Sequence, residues 1–338
     1  MESQITQPEP FPDPVIRASK FRRVNVFVHG QLERKAVIES GSGHFYEIGT
    51  TLKKAIFGQV VHALLITPSV GNSPTNTADT DTFVRTDQER AIKIYSKRTL
   101  RALQGRTAEN PLVEITALQF IGDNHPNIMG QIECCTDDDN IYSIMRFCPG
   151  GELFDHIDSS GPLEGDQARS MFRQLLNGLQ HLQQLGIAHR DMSLENMLYD
   201  GKDLYVIIDF GMCLRLKKDP TSGRYCYLYK QSICGKRNYI SPEVLREEPT
   251  FNPMFSDIWA AGVILFIALT GVPPVDIATS ADERYRMICD GRLQEMLTSW
   301  GLALDTRVVD LIQRILKPNP LHRPTIQEIL AHPWMLNT

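Results

Sequence analysis

His189-Arg190-Asp191-Met192-Ser193-Leu194-Glu195-Asn196 decides the reading of this chain, together with Asp209-Phe210-Gly211. The first motif follows a strongly amphipathic segment, Asp166 to Leu185. There Ala168, Met171, Phe172, Leu175, Leu179 and Leu182 fall on one stripe at helical spacing. The second follows Leu204 to Ile208, a short apolar run that reads as a buried strand. Each motif therefore occupies a loop that leaves a regular element. Asp209 lies 18 residues beyond Asp191, and Glu243, in Ser241-Pro242-Glu243, lies 34 beyond Asp209. Upstream, Ala91-Ile92-Lys93 sits in a β-prone run, and Glu114 sits in a segment, 109–121, that reads as a helix. Singly, each has a bland explanation. An Asp or Asn after a loop His is ordinarily a turn former, and a Lys–Glu pair is ordinarily solvated charge. Five in this order, each in a matching element, form a specific signal.

Around the motifs the composition is that of a globular chain. Hydrophobic residues make up 42% and charged residues 22% of 338 residues, which excludes a chain disordered throughout. Thirty-five basic against 40 acidic side chains give a net charge of −5, which makes the chain a poor candidate for sequence-independent nucleic-acid binding, which needs clustered positive charge. The seven cysteines are odd in number, include the adjacent Cys134-Cys135 and form no Cys-x-x-Cys pair; they read as reduced thiols. The polar, Pro-rich start has no secretory core, and Glu2 excludes myristoylation. The longest apolar stretch, Ile258 to Leu269, is too short to cross a bilayer and reads as a buried core helix. No membrane partner is expected, and the chain is expected to be cytoplasmic, with nuclear entry left open.

Length alone suggests about two domains. Residues 1–20, with Pro8, Pro10, Pro12 and Pro14, read as a flexible or extended tail. Val24, Val26 and Val28 alternate before His29-Gly30, and a second run reaches Ile38, which predicts a hairpin. Residues 1–44 are accordingly read as an extension. Strands are expected from Phe45, over Ala55 to Ile66 and over Ala91 to Tyr95, with a polar inserted loop at 67–82 that cannot pack a core. Asn140 to Phe147 reads as a strand, and the pattern after residue 243 is helical. Strands first and helices later suit two unequal lobes, divided near 147–148 within 45–338.

The five motifs resemble those of the eukaryotic protein kinase domain, and the resemblance spans about residues 45 to 336. The segments Cys148-Pro149-Gly150-Gly151-Glu152-Leu153-Phe154 and His322 to Met335 are most similar to the calcium/calmodulin-dependent group of Ser/Thr kinases. The resemblance implies an α+β, bilobal fold: a small antiparallel sheet with one helix, then a larger helical lobe. It implies ATP and Mg²⁺ as cofactors and a protein Ser or Thr hydroxyl as acceptor. Asp191 is then the group that meets the acceptor hydroxyl, Asn196 and Asp209 the Mg²⁺ ligands, and Lys93, oriented by Glu114, the holder of the α/β phosphates. Leu52, Gly58, Val60, Ala91, Met145, Phe147, Cys148, Glu152 and Leu198 are the implied nucleotide contacts. Glu243 and Arg323 resemble the structural ion pair of the large lobe. Glu152 and Glu195 line the implied peptide groove, so substrates with basic residues near the acceptor are expected.

Two departures stand out. The glycine-rich phosphate loop is reduced to Gly58, with Lys53 and Ala55 at the other glycine positions. This leaves a pseudokinase scaffold as the alternative function. Secondly, Ser193 occupies the position of the usual catalytic-loop Lys, and Lys236 the position of the usual Thr after Cys234-Gly235. The hydroxyl and the ammonium have traded places, and Lys236 is read as the replacement for the missing Lys. Arg190 beside Asp191 implies an activation segment ordered by phosphate, with Ser232 as the aligned site and an upstream kinase as partner. Tyr225, Tyr227, Tyr229, Thr221 and Ser222 align less well. The chain ends directly after the last matching helix, so a C-terminal calcium-responsive tail is not expected, and a monomer is.

Overall fold

The computed structural model describes residues 5–69, 82–107 and 109–337. The chain divides into two compact units: 13–107 with 130–147, and 1–12 with 108–129 and 148–338.

The first unit is a closed β-barrel with a short helix. After β1 (Ile5–Thr6), which is assigned to the other unit, come β2 (Arg17–Val28), β3 (Gln31–Ser40), β4 (Phe45–Ala55), β5 (Gly58–Pro68) and β6 (Thr82–Ser96). Then come α1 (Lys97–Leu103) and, assigned to the other unit, α2 (Pro111–Ile121). The barrel is completed by β7 (Gln131–Thr136) and β8 (Asn140–Arg146). The ring order is β2-β3-β4-β5-β6-β8-β7. Arg17 and Ala18 close it by parallel pairing with Cys135 and Thr136, and Asn25–Phe27 pair parallel with Thr82–Val84. The hairpin expected at 21–40 is β2–β3. His29 and Gly30 both take positive φ, 50° and 82°, the turn whose twist matches that of the flanking strands.

This hairpin is not an appendage. Val24, Val26, Val28, Val37, Ile66 and Phe83 form one buried cluster, so residues before 45 supply core to the same unit. Ile38 lies in a second, with Tyr46, Val61, Ala63, Ile92, Cys135, Tyr142 and Ile144. The expected boundary at 45 therefore cuts through a packed core. Glu47, 4% exposed, is compensated by a bidentate Arg85 at 2.7 and 2.5 Å, which meets the cost of burying its charge. The expected strand from Ala55 to Ile66 is broken at Ile56-Phe57, the turn between β4 and β5. The inserted loop falls largely on residues 70–81, outside the described ones; the flanking strands reach Pro68 and resume at Thr82.

The second unit is mainly helical. It carries α3 (Leu153–Ser160), α4 (Gly165–Gln184), β9 (Ile187–Ala188), β10 (Met197–Tyr199), β11 (Tyr205–Ile207), β12 (Leu214–Arg215) and β13 (Tyr227–Tyr229). Then follow α5 (Pro242–Leu245), β14 (Thr250–Phe251), α6 (Pro253–Thr270) and shorter helices to Leu336. Helix α4 buries its predicted stripe, and α6 is apolar on all sides and almost wholly buried. By length and hydropathy α6 could cross a membrane, yet 83% of it lies inside the protein, the mark of a core helix. Asn252 caps its start, accepting from the Met254 N–H, and Gly271 at φ 75° ends it. Beneath α6, Arg323 grips Glu243 at 2.7 and 2.8 Å. Both are buried, and Ser256 and the Phe255 carbonyl satisfy further atoms.

The proline-rich start is not a free tail. Ile5 and Thr6 pair with Tyr227 and Leu228, giving a sheet ordered β1-β13-β14. β14 is also the one strand that interrupts the helical run expected after 243.

Candidate active site

Helix α4 ends at Gln184, and β9 delivers the chain to His189-Arg190-Asp191. The loop is pinned from below. Asp257, in the second turn of α6, accepts the backbone N–H groups of His189 and Arg190 at 2.7 and 2.8 Å. Burial raises the Asp257 pKa, and these two donors work against that rise. The fully buried His189 ring spans the loop: Nδ1 accepts from the Asp191 N–H at 3.3 Å and Nε2 donates to the Ile208 carbonyl at 2.8 Å. His189 thereby ties the Asp191 loop to the strand that leads into Asp209. Arg190 takes a positive φ of 68°. His189 stands in the deciding motif and Asp257 near the start of the buried helix; together they aim the loop. An acid in an otherwise apolar helix was the available signal.

Asn196 Nδ2 donates to the Asp191 carbonyl at 2.7 Å and to its Oδ2 at 2.9 Å. Asp191 Oδ1 is buried and has no hydrogen-bond partner among the described residues. Burial raises the Asp191 pKa above its usual value, and His189, Lys236 and Asn196 oppose that rise. Lys236 Nζ donates to Ser193 Oγ at 2.8 Å and lies 3.2 Å from Glu195 Oε2. The two residues that differ from the usual pattern are thus direct partners. Gly235 lets the segment approach: a Cβ there would lie 3.1 Å from the Arg190 carbonyl oxygen, at a φ of 94°.

Asp209, also at positive φ (65°), accepts from the Gly211 N–H at 3.4 Å. The Asn110 N–H, at the cap of α2, donates to the Gly211 carbonyl at 2.9 Å. The helix is thereby docked on this turn. Carboxylate oxygens of Glu109, Glu114 and Asp209 lie within 4.8 Å of one another. Glu109 was not singled out from the sequence. With Asn196 Nδ2 engaged, its Oδ1 is left as an acceptor. Asn196 and Asp209 offer oxygen donors only, a set that fits a hard cation such as Mg²⁺ and not a thiophilic one.

In the barrel, Val60 pairs with Lys93, Lys93 with Ser143, and Ala91 with Met145. Directly paired residues share a face, so Val60, Ala91, Lys93 and Met145 lie on one face of β5, β6 and β8. Their neighbours Val61, Ile92 and Ile144 point into the core. A small and an apolar side chain flank one cation here, as an adenine slot beside a phosphate holder requires. The Lys93 ammonium lies 5.5 Å from the Tyr95 ring centre. Leu52 is exposed in β4, and Phe147 packs edge-on against His62 at 4.8 Å. Gly58 has a packing role: a Cβ there would meet the Ile94 carbonyl oxygen at 1.9 Å. Its glycine is explained by strand approach without any appeal to phosphate. Cys148, Glu152, Leu198 and Glu114 belong to the helical unit, where Glu152 bridges Leu198. Lys93 and Glu114 thus fall in different units.

Arg190 reaches the proposed activation segment through carbonyls. Nη2 donates to the Ser232 oxygen at 2.8 Å and Nη1 to that of Met212 at 3.2 Å, while Ser232 itself is exposed.

An acidic loop residue, an amide fixed upon it and a second acidic turn are the features to which the resemblance assigned phosphoryl transfer, here on an α+β scaffold. The protein kinase domain family matches residues 79–335, and the chain belongs to that family. Proteins similar to it include named serine/threonine kinases. It is 35% identical over 291 residues to CBL-interacting serine/threonine-protein kinase 17 of Arabidopsis thaliana, covering 86% of this chain and 59% of the relative. It is 31% identical over 289 residues to CBL-interacting protein kinase 9 of Oryza sativa subsp. japonica, covering 86% and 56%. Sperm motility kinase 2B of Mus musculus is 33% identical over 226 residues, covering 67% and 43%. The chain spans a little over half the length of the plant relatives.

Proposed function

We propose that this chain is a catalytically active protein serine/threonine kinase that uses ATP and Mg²⁺. The observation that carries this reading is the state of Asp191: one oxygen fixed by Asn196, the other buried and without a hydrogen bond among the described residues. An acid in this loop with one oxygen left open is what a proton acceptor needs. In the reaction the acceptor hydroxyl gives its proton to Asp191 Oδ1. Its oxygen bonds the γ-phosphorus as the bond to the β–γ bridging oxygen breaks, releasing ADP. Mg²⁺, held by Asn196 and Asp209, would neutralise phosphate charge. Lys93 holds the α/β phosphates, and Lys236 supplies the cation beside Asp191 that the usual catalytic-loop Lys would supply.

The acceptor is a protein hydroxyl. Glu195 already has Lys236 as a cationic partner, so the preference for basic residues is weaker at that point of the groove than the sequence implied. An upstream kinase acting on Ser232 would place a phosphate near Arg190, which holds the Ser232 carbonyl. The test is purified protein with Mg²⁺ and labelled ATP on a degenerate peptide array, with Asp209→Asn as control. Transfer to Ser or Thr peptides, lost in the control, is expected. Equal labelling by wild type and Asp209→Asn, or none by either, would overturn the reading.

A further inference from the structure

The first described residues make three separate kinds of contact with the rest of the helical unit, to which they belong. Ile5 and Thr6 extend a sheet by parallel pairing with Tyr227 and Leu228. Leu228 is fully buried with Ala188, Leu216, Phe251 and Met254, so β13 is seated in core on one side and flanked by β1 on its edge. Next, Arg215 acts as a hub. Its carbonyl accepts from the Glu9 N–H at 2.8 Å and its guanidinium donates to the Pro10 carbonyl at 3.2 Å. The Glu9 carboxylate lies 3.4 Å from it. The same guanidinium lies over the ring of Phe120 at 4.4 Å. Finally, Phe11 meets Phe120 edge-on, with ring centres 5.8 Å apart at 72°.

These contacts converge on two parts of the site. Phe120 is in the last turn of α2, the helix that carries Glu114 and whose cap holds Gly211. Arg215 and β13 belong to the segment that follows Asp209. The composition suits the task. Pro8, Pro10 and Pro12 fix alternate φ angles, so the segment loses little backbone entropy on docking. The proline pattern that suggested a free tail is what makes a stiff, extended tether inexpensive to order.

We infer that residues 5–12 form an intrachain strap in which Glu9 and Phe11 are positioning residues. Through Arg215, Phe120 and β13 they set helix α2 and the segment 214–229 in the arrangement used for phosphoryl transfer. The catalytic part of this inference rests on the kinase reading above; the positional part does not.

The test uses the full chain: wild type, Glu9→Ala/Phe11→Ala, and Phe11→Tyr as the conservative variant. Hydrogen exchange is followed in peptides from β13, α2 and α6, beside steady-state kcat and KM for ATP. In the double variant, exchange in β13 and α2 is expected to rise about tenfold, the effect of losing the Glu9–Arg215 ion pair and the Phe11–Phe120 ring contact together. Exchange in α6 stays unchanged, kcat falls, KM for ATP holds within about twofold, and Phe11→Tyr behaves as wild type. Unchanged exchange in β13 and α2, or an equal rise in α6, overturns the strap. Wild type that labels no peptide overturns the kinase reading instead, and the exchange data still decide on the strap.

Discussion

Replacing Lys236 by Ala removes one charge from a defined place. Nζ lies 2.8 Å from Ser193 Oγ and 3.2 Å from Glu195 Oε2, and its positive charge helps hold down the pKa of Asp191. A preorganised cation or donor facing charge that develops in the transition state is worth about 10²-fold in kcat, or roughly 2.7 kcal/mol. Lys236→Ala should lose about that factor in kcat while KM for ATP changes little, because the interaction is made in the transition state. The double variant Ser193→Lys/Lys236→Thr restores the usual arrangement and should recover activity to within about tenfold, a strong positive coupling. The acid limb of the pH profile offers a second readout. Asp191 must be ionised to take a proton, so kcat falls as pH drops through its pKa. Without Lys236 that pKa rises further, and the midpoint moves to higher pH. Because Lys236→Ala also leaves Glu195 without its cation, Lys236→Ala/Glu195→Gln is the control for a stability effect. Steady-state assays on a Ser peptide decide the matter: a Lys236→Ala enzyme with kcat within twofold of wild type and the same acid midpoint refutes the exchange of roles.

Three further outcomes follow from the geometry. Arg323→Ala strands a buried carboxylate and should cost about 3–5 kcal/mol in chemical denaturation. Burial pushes the Glu243 pKa up, but the bonds from Arg323 more than offset this and leave it lowered. The pair's contribution is therefore present above the ordinary carboxylate value of 4.5 and lost as pH falls below it, which urea titrations at pH 7 and pH 4 would show in wild type but not in Arg323→Ala. Gly58→Ala forces a Cβ onto the Ile94 carbonyl oxygen and should cost about 1–3 kcal/mol of stability as an overpacked site; an unchanged melting temperature would return Gly58 to a phosphate-binding role. Asp257→Asn keeps one acceptor for two backbone donors, so kcat should fall about tenfold or more with the fold retained by circular dichroism.

How much could be read beforehand depended on whether the signal was local. The loop at 189–196 and the turn at 209–211 declare themselves because each needs particular side chains at fixed spacing. The Ser193–Lys236 contact was legible for a related reason: two unusual residues preserved one chemistry between them. The pairing of β1 was not legible, since a two-residue strand has no periodicity, and proline spacing describes stiffness without naming a partner. Barrel closure left no mark either. Arg17 and Ala18 find Cys135 and Thr136 far along the chain, through backbone groups that every residue carries. Gly58 was read as a nucleotide contact, and the fold adds a second requirement for glycine there, the close approach of β6. Glu109 carried no motif, and only the fold shows what it and Asp257 face.

A ring of strands has no free edge. An open sheet can shear or take on a foreign strand at its margins; in a ring, moving one strand along its neighbour breaks pairing around the whole circuit. The position of Lys93 against Met145's strand is therefore locked by residues as remote as Arg17 and Val28, neither of which lies with Val60, Ala91 and Met145 on the Lys93 face. A fragment begun at residue 45, the boundary the motifs suggested, would leave the margins of β4 and β7 bare and Ile38 missing from the core. Such a fragment would be prone to pair with other copies of itself through those two margins, and its failure to stay dispersed would reflect the lost hairpin rather than any weakness of the catalytic half.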